Sequence, residues 1–369
     1  MNFQLSGDQI AFQESVIKFL QQEYDFDSRQ KTVASKAPYS HSMWKDCAEL
    51  GWLSLFFKEE YDGFGGTPID TTVLFEQLGR HLVVEPFLQA GLQSACVLQA
   101  CEHPQKETMI RDLMAGDLHL SLAHLEPYQR DFDATLSTQA LECDNGFTLS
   151  GTKSLVFNAA CSSGLLVTAN LKGERAIFLL PVDSKGVSVR SYETVDGREA
   201  SDVTLETVSL AADQLLLSGS LAEAVLAKLL DNTLVAQIAE MLGGMQVLLD
   251  ATVEYTRDRR QFGASLSQFQ VLQHKMVEMF MAIELLRSIL FAAAIKLRDG
   301  ADDARRYVAA AKVKADKAAR LTAQFAVQLH GGIGTTDELK IGHYLKHFEV
   351  MIAQFGSTQS HLQRFCELN

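Results

Sequence analysis

The stretch YTRDRRQFGASLSQFQ, Tyr255 to Gln270, interrupts two long helical patterns. It sets Arg257, Arg259 and Arg260 within four positions of a chain of formal charge −13, then an aromatic at Phe262, a turn glycine at Gly263 and an amide at Gln270. Arginine offers planar, bidentate donors that match a pyrophosphate, and a neighbouring aromatic ring stacks on a purine. The plainer reading is a solvated helix end whose arginines offset the C-terminal dipole. Composition alone favours the plainer one.

Outward from this break, apolar residues recur at helical spacing. Leu234, Ile238, Met241, Leu242, Met245, Leu248 and Leu249 form one stripe before it; Met276, Met279, Phe280, Ile283 and Leu290 form a second after it. Val308, Ala311, Ala315, Ala318, Phe325 and Leu329 form a third, ended by Gly331-Gly332, and a fourth helix is expected from about Asp337 to Phe355. Four long helices with short connections predict an up-and-down bundle. The third ends in QLHGGIGT, Gln328 to Thr335, where glycines permit close backbone approach and Gln328 offers a nucleotide a hydrogen bond. A simple helix stop explains the same residues. The segment is no dinucleotide fingerprint, since it follows a helix rather than a strand.

Further upstream the texture changes twice. From about 119 to 220, short β-rich runs (GFTLSG, GLLVTAN, RAIFLLPV, GVSVRSY, DVTLETVSL) alternate with glycine turns such as Asp144-Asn145-Gly146. That spacing predicts an antiparallel barrel or sandwich. Residues 6 to about 118 read as helical, starting from a cap at Ser6 and broken at Glu60–Pro68 by EYDGFGGTP. The expected fold class is α+β multidomain: an N-terminal α-helical domain over 1–118, a β domain over 119–220, and a C-terminal helical bundle over 221–369.

A chain of 369 residues suggests two or three domains at roughly 150 residues each. The net negative charge argues against a nucleic-acid partner, because phosphate backbones require a basic face. Six cysteines without metal-ligand spacing read as reduced thiols in a cytoplasmic setting. The opening MNFQLSGDQIAF has no basic region before an apolar run, and no window approaches 18 uninterrupted apolar residues, so neither a signal peptide nor a membrane span is expected.

RxQFG at 259–263 followed about 65 residues later by QxxGG at 328–332, on long C-terminal helices, resembles the acyl-CoA dehydrogenase family. The likeness extends over essentially the whole length. It includes LSGDQIAFQESVIKFL, EYDGFGG, the stretch from Gln77 to Pro86, and SGTKSLVFNAA at Ser150–Ala160. GRHLVVEPFL, AHLEP, VQLHGGIG and FGSTQSHLQRF are most similar to the small-subunit branch, typified by the pimeloyl-CoA dehydrogenase small subunit and subunits of steroid side-chain degraders.

The resemblance implies FAD as cofactor, an acyl-CoA substrate, α,β-desaturation and electron-transfer flavoprotein as oxidant. Arg259, Phe262, Gln270, Gln328, Gly331 and Gly332 fall where the family holds the ADP half of a neighbour's flavin. Positions that meet the flavin ring depart from the pattern: Leu125-Glu126-Pro127 replaces Thr-Glu-Pro, and Leu155-Val156-Phe157 replaces Trp-Ile-Thr. So do the seats of the base that takes the α-proton: Phe355 occupies the usual glutamate position, and Thr233 an alternative one. Neither titrates as a base near neutrality. Glu240 lies seven residues beyond Thr233 on one helix face and is a relocated candidate; a structural role is the stronger expectation, and Glu349 is weaker still. Three readings follow: one subunit of a heteromeric dehydrogenase (α2β2) whose homologous partner supplies the base, a self-sufficient flavoenzyme with relocated or base-free chemistry, and a non-catalytic scaffold. His343 and His347, at i and i+4, lack a third metal ligand, so no metal is expected. Ser162-Ser163-Gly164 has no nucleophile-elbow context.

Overall fold

A computed structural model describes residues 4–35 and 37–368. The chain divides into two compact units, one of Met1–Lys31, Pro68–Val83 and Leu234–Asn369, the other of Thr32–Thr67 and Val84–Thr233.

The first unit is helical. Helix α1 (Gly7–Glu23) starts at a capping box: Gln9 N–H donates to Ser6 Oγ at 3.2 Å and Ser6 N–H to Gln9 Oε1 at 3.0 Å. Helix α2 (Phe26–Ala34) follows; α3 (His41–Glu49) belongs to the second unit and α4 (Pro68–His81) to the first. Helix α4 lies directly on the long α7 (Gly219–Asp258). A Cβ at Gly79 would stand 1.9 Å from the Glu240 carbonyl oxygen, and one at Gly243 1.9 Å from that of Glu76, so only glycines permit this crossing. Arg287 on α8 (Gln270–Arg298) closes on Glu76 of α4 at 2.7 Å. Helices α9 (Ala304–His330), α10 (Lys340–Ala353) and α11 (Thr358–Glu367) complete this unit. The fourth bundle helix is thus shorter than expected, because Lys340 begins it and Gln354 leaves it in extended conformation.

The second unit carries α3, a π-helical turn at Phe87–Gln93 continued by α5 (Ser94–Leu98), α6 (Lys106–Met114), and one eight-stranded sheet. Its strands are β1 (Leu120–Ala123), β2 (Gln139–Cys143), β3 (Gly146–Phe157), β4 (Gly164–Leu171), β5 (Glu174–Pro181), β6 (Val187–Glu193), β7 (Glu199–Ala211) and β8 (Leu215–Ser218). The path runs β6-β7-β3-β2-β4-β5-β8, with β1 also on β4. The domain expected as an antiparallel barrel or sandwich is antiparallel at most of its pairings, but β4 pairs in parallel with both β1 and β2. β1 and β2 are only four and five residues long and are not among the expected β-rich runs. β4 is buried along almost its whole length, packing Leu165 and Val167 with Phe147, Phe178 and Val203.

Among the described residues, α7 alone is long and apolar enough to cross a membrane, and 83% of its apolar window is buried inside the fold.

Candidate functional site

Helix α7 ends where the arginines begin. Arg260–Gln261 (β9) and Ala264–Ser265 (β10) then form a hairpin closed by Phe262 and Gly263, both at positive φ (57° and 80°). Two left-handed residues in a two-residue loop are what such a hairpin needs, and the turn leaves Phe262 90% exposed. The expected nucleotide contacts Arg259, Phe262, Gln270, Gln328, Gly331 and Gly332 are all exposed.

Two residues that sequence reading passed over join the segments carrying them. The Tyr255 ring stacks on His330 at 4.4 Å, and its hydroxyl donates to the His330 carbonyl at 3.3 Å. This fastens the end of α7 to the end of α9. His330 Nδ1 donates to Ala326 O at 2.8 Å, and burial lowers the imidazole pKa, so the neutral ring stays locked in the helix end. Gly331 then takes φ 66°, and a Cβ on Gly331 or Gly332 would meet nothing within 4 Å. Open glycine backbone on one segment, and exposed guanidinium groups with an outward aromatic ring on the other, are groups that suit a nucleotide tail.

The acid seats are filled differently. Thr233, wholly buried, accepts from Gln93 Nε2 at 3.3 Å. One turn on, Gln237 Nε2 donates to Gln354 Oε1 at 2.9 Å. Gln354 immediately precedes Phe355, so the latter's backbone sits beside the same helix that bears Thr233. Phe355 itself is left-handed (φ 58°), and its carbonyl accepts from His361 Nε2 at 2.9 Å. The turn's flanks are held by a wholly buried Lys312, which donates to Met351 O at 3.1 Å and pairs with Asp316 at 2.8 Å; Asp316 in turn accepts from Thr358 Oγ1 at 2.8 Å. No carboxylate lies among residues 354–357.

Glu240 is 7% exposed and accepts from His347 Nε2 at 2.8 Å, a buried tie between α7 and α10. Glu349 is held in a bidentate pair by Arg320 (2.9 and 2.8 Å), whose hydrogen bonds hold its carboxyl below the usual range. His343 Nε2 lies 3.3 Å from Asp337 O. With His347 committed to Glu240, the i, i+4 pair is structural, and among the described residues no cluster of three His, Cys, Asp or Glu could hold a metal.

In the second unit, Glu126 is committed as well. Its carboxylate accepts from Lys153 Nζ (2.8 Å), Thr138 N (2.9 Å), Ser137 N (2.6 Å) and the Ser137 hydroxyl. Burial alone would raise its pKa; the hydrogen bonds from Lys153 and Ser137 outweigh that and hold it at about 2. Val156 and Phe157 are both buried, 1% and 6% exposed, Val156 in the core of the sheet and Phe157 with Arg198 over its ring. Leu125, Leu155, Val156 and Phe157 offer no side-chain donor, which is a poor fit to the polar edge of a flavin ring.

Residues 6–117 match the model of the acyl-CoA dehydrogenase N-terminal domain, and residues 224–366 that of its C-terminal domain. The relative described as "Probable acyl-CoA dehydrogenase YngJ" of Bacillus subtilis (strain 168) is 28% identical, covering 99% of this chain and 98% of its own. The solved steroid ACAD Tcur3481-Tcur3483 superposes with a TM-score of 0.88 at 26% identity, covering 98% of each chain. The ChsE4-ChsE5 complex from Mycobacterium tuberculosis gives 0.91 at 21% identity over 100% of this chain and 98% of that one, a likeness of fold.

Proposed function

We propose, for a chain that belongs to the acyl-CoA dehydrogenase family and so to the FAD-dependent oxidoreductases acting on CH–CH bonds, that it works as one subunit of a heteromer whose homologous partner supplies the catalytic base. The observation that carries this is that Phe355 and Thr233 hold the two seats for that base, while Glu240 is engaged by His347. In this reading residues 1–118, 119–220 and 221–369 act as helical, β and bundle domains. Arg259 binds pyrophosphate, Phe262 lies against the adenine, Gln270 and Gln328 accept or donate at the ADP edge, and Gly331-Gly332 let its backbone approach. When bound, FAD supplies the oxidant for a hydride leaving the acyl β-carbon. This chain's residues orient the nucleotide end, while the α-proton passes to a carboxylate of the partner.

The solved relatives named for paired subunits support an α2β2 assembly, and the one named for steroid chemistry supports β-oxidation of a lipid or steroid acyl-CoA. Electron-transfer flavoprotein as oxidant and a cytoplasmic setting complete the proposal; six free cysteines accord with the latter. The test is to express the chain alone and with its partner, then count flavins per chain and assay desaturation. Weak flavin retention alone and activity only together is expected. Full turnover and stoichiometric flavin from the single chain defeats the proposal.

A further inference from the structure

Within the first unit, the junction of α1 and α2, the end of α4 and the start of α10 meet around a cleft of about 250 Å³. Phe26 and Tyr344 wall it, and Asp25, Arg80, His81 and Lys340 are its titratable side chains. Tyr344 donates its hydroxyl to the Arg80 carbonyl, which holds the end of α4 on α10.

Three of the four titratable groups have a local role. Asp25 accepts from Ser28 N–H at 2.7 Å at the start of α2. His81 Nδ1 donates to Tyr24 O at 3.2 Å, and burial lowers its pKa, so the ring is neutral. Arg80 lies in the last turn of α4, where a cation offsets the helix dipole, and it reaches Asp250 only at 3.8 Å.

Lys340 has no such role. It opens α10, where the helix dipole repels a cation, and no side chain caps that end. Among the described residues its ammonium makes no hydrogen bond and no close ion pair. Glu254 and Asp250 attract it from further off, but burial and then the Arg80 charge outweigh them and lower its pKa. Two cations therefore repel each other at one cleft of a chain whose formal charge is −13.

An anion between them would remove that repulsion. The planar fork of Arg80 beside the point charge of Lys340 suits a phosphate, whose nearly two negative charges take two cationic partners where a lone carboxylate takes one. Sites for drug-sized ligands run to roughly 300–1,000 Å³, so this cleft is too small for a dinucleotide and large enough for a phosphate bearing a few carbons. We infer that Arg80 and Lys340 bind a phosphate group here, either the free ion or a small monoester.

Isothermal titration calorimetry on the full-length chain, with inorganic phosphate and separately glycerol 3-phosphate at matched ionic strength, tests this without flavin, acyl-CoA or a partner chain. Saturable binding with a dissociation constant of about 1 mM or tighter is expected, and the tighter of the two ligands identifies the source of the phosphate. Lys340→Ala and Arg80→Ala should each weaken binding at least tenfold, while Lys340→Arg should stay within about threefold of wild type. Arg259→Ala should bind as wild type does, which separates this cleft from the proposed flavin contacts and leaves that reading untouched if the inference fails. Circular dichroism confirms the fold of each variant, and the exposed Lys340 side chain keeps the test available if Arg80→Ala unfolds. No saturable binding by either ligand, a folded Lys340→Ala that binds as before, or a loss seen with Arg259→Ala alone overturns the inference.

Discussion

Glu240 is a residue of the right chemistry for a base whose carboxylate already has a buried partner. Its carboxylate is committed to His347, so removing the charge should disturb packing more than chemistry. In the assembled enzyme, Glu240→Gln is expected to keep turnover within about threefold while lowering stability by about 1–3 kcal/mol, the scale of a damaged buried charged hydrogen bond. A loss of about a thousandfold with flavin retained would instead make Glu240 the base. Arg259 belongs to the other end of the proposed chemistry. Its guanidinium is exposed and unburdened by packing, so Arg259→Ala should leave thermal stability unchanged. Flavin affinity should weaken about 10- to 100-fold, since a charge-assisted hydrogen bond contributes about 1.5–3 kcal/mol. Fluorescence titration checks the second expectation and calorimetry the first; unaltered affinity would remove Arg259 from the site.

At the scale of elements, two contacts are open to direct test. The α4–α7 crossing depends on Gly79 and Gly243, and Gly79→Ala places a methyl group 1.9 Å from backbone oxygen. Neither helix can yield locally, so a destabilisation of about 1–3 kcal/mol or more is expected on denaturant unfolding. The second contact is the Lys153–Glu126 pair, 0% and 1% exposed, which fastens β3 to the Leu125–Pro127 segment. Lys153→Met strands a buried carboxylate and should cost about 3–5 kcal/mol, whereas Lys153→Met with Glu126→Gln should recover a good part of that. Equal losses in the single and double variants would show that the pair is not energetically coupled.

Across the whole molecule, buried groups with lowered pKa make the fold sensitive to acid. Burial, and then the neighbouring Lys153 charge, lower His124 to about 3; burial, and then His41 and Lys45, lower His119 to about 4. The unfolded chain therefore takes up these protons first. The histidines' contribution to stability is whole above pH 6.5 and is lost as pH falls from there toward 4 and 3. Glu126, held at about 2, adds a second loss between pH 4.5 and 2. The melting temperature should fall steadily below pH 6.5, and more steeply below 4.5. A flat profile between pH 6.5 and 4 would mean that these imidazoles are solvated.

The sequence by itself determined the order of helices, strands and helices, because hydrophobic period and glycine punctuation are local properties. It also offered candidate residues for gripping a nucleotide, since RRQFG and QLHGG lie in short continuous segments whose resemblance can be read locally. The turn at Gly263 was legible in the same way, whereas the hairpin that pushes Phe262 outward was not. Tertiary structure alone decided that β4 pairs in parallel with β1 and β2, and that Tyr255 and His330, 75 residues apart, join the two candidate nucleotide segments. It alone decided too that Glu240 is occupied by a histidine 107 residues away. The reason is physical: a side chain's type fixes what bonds it can form, but which partner satisfies it depends on burial and on neighbours that only folding brings within reach.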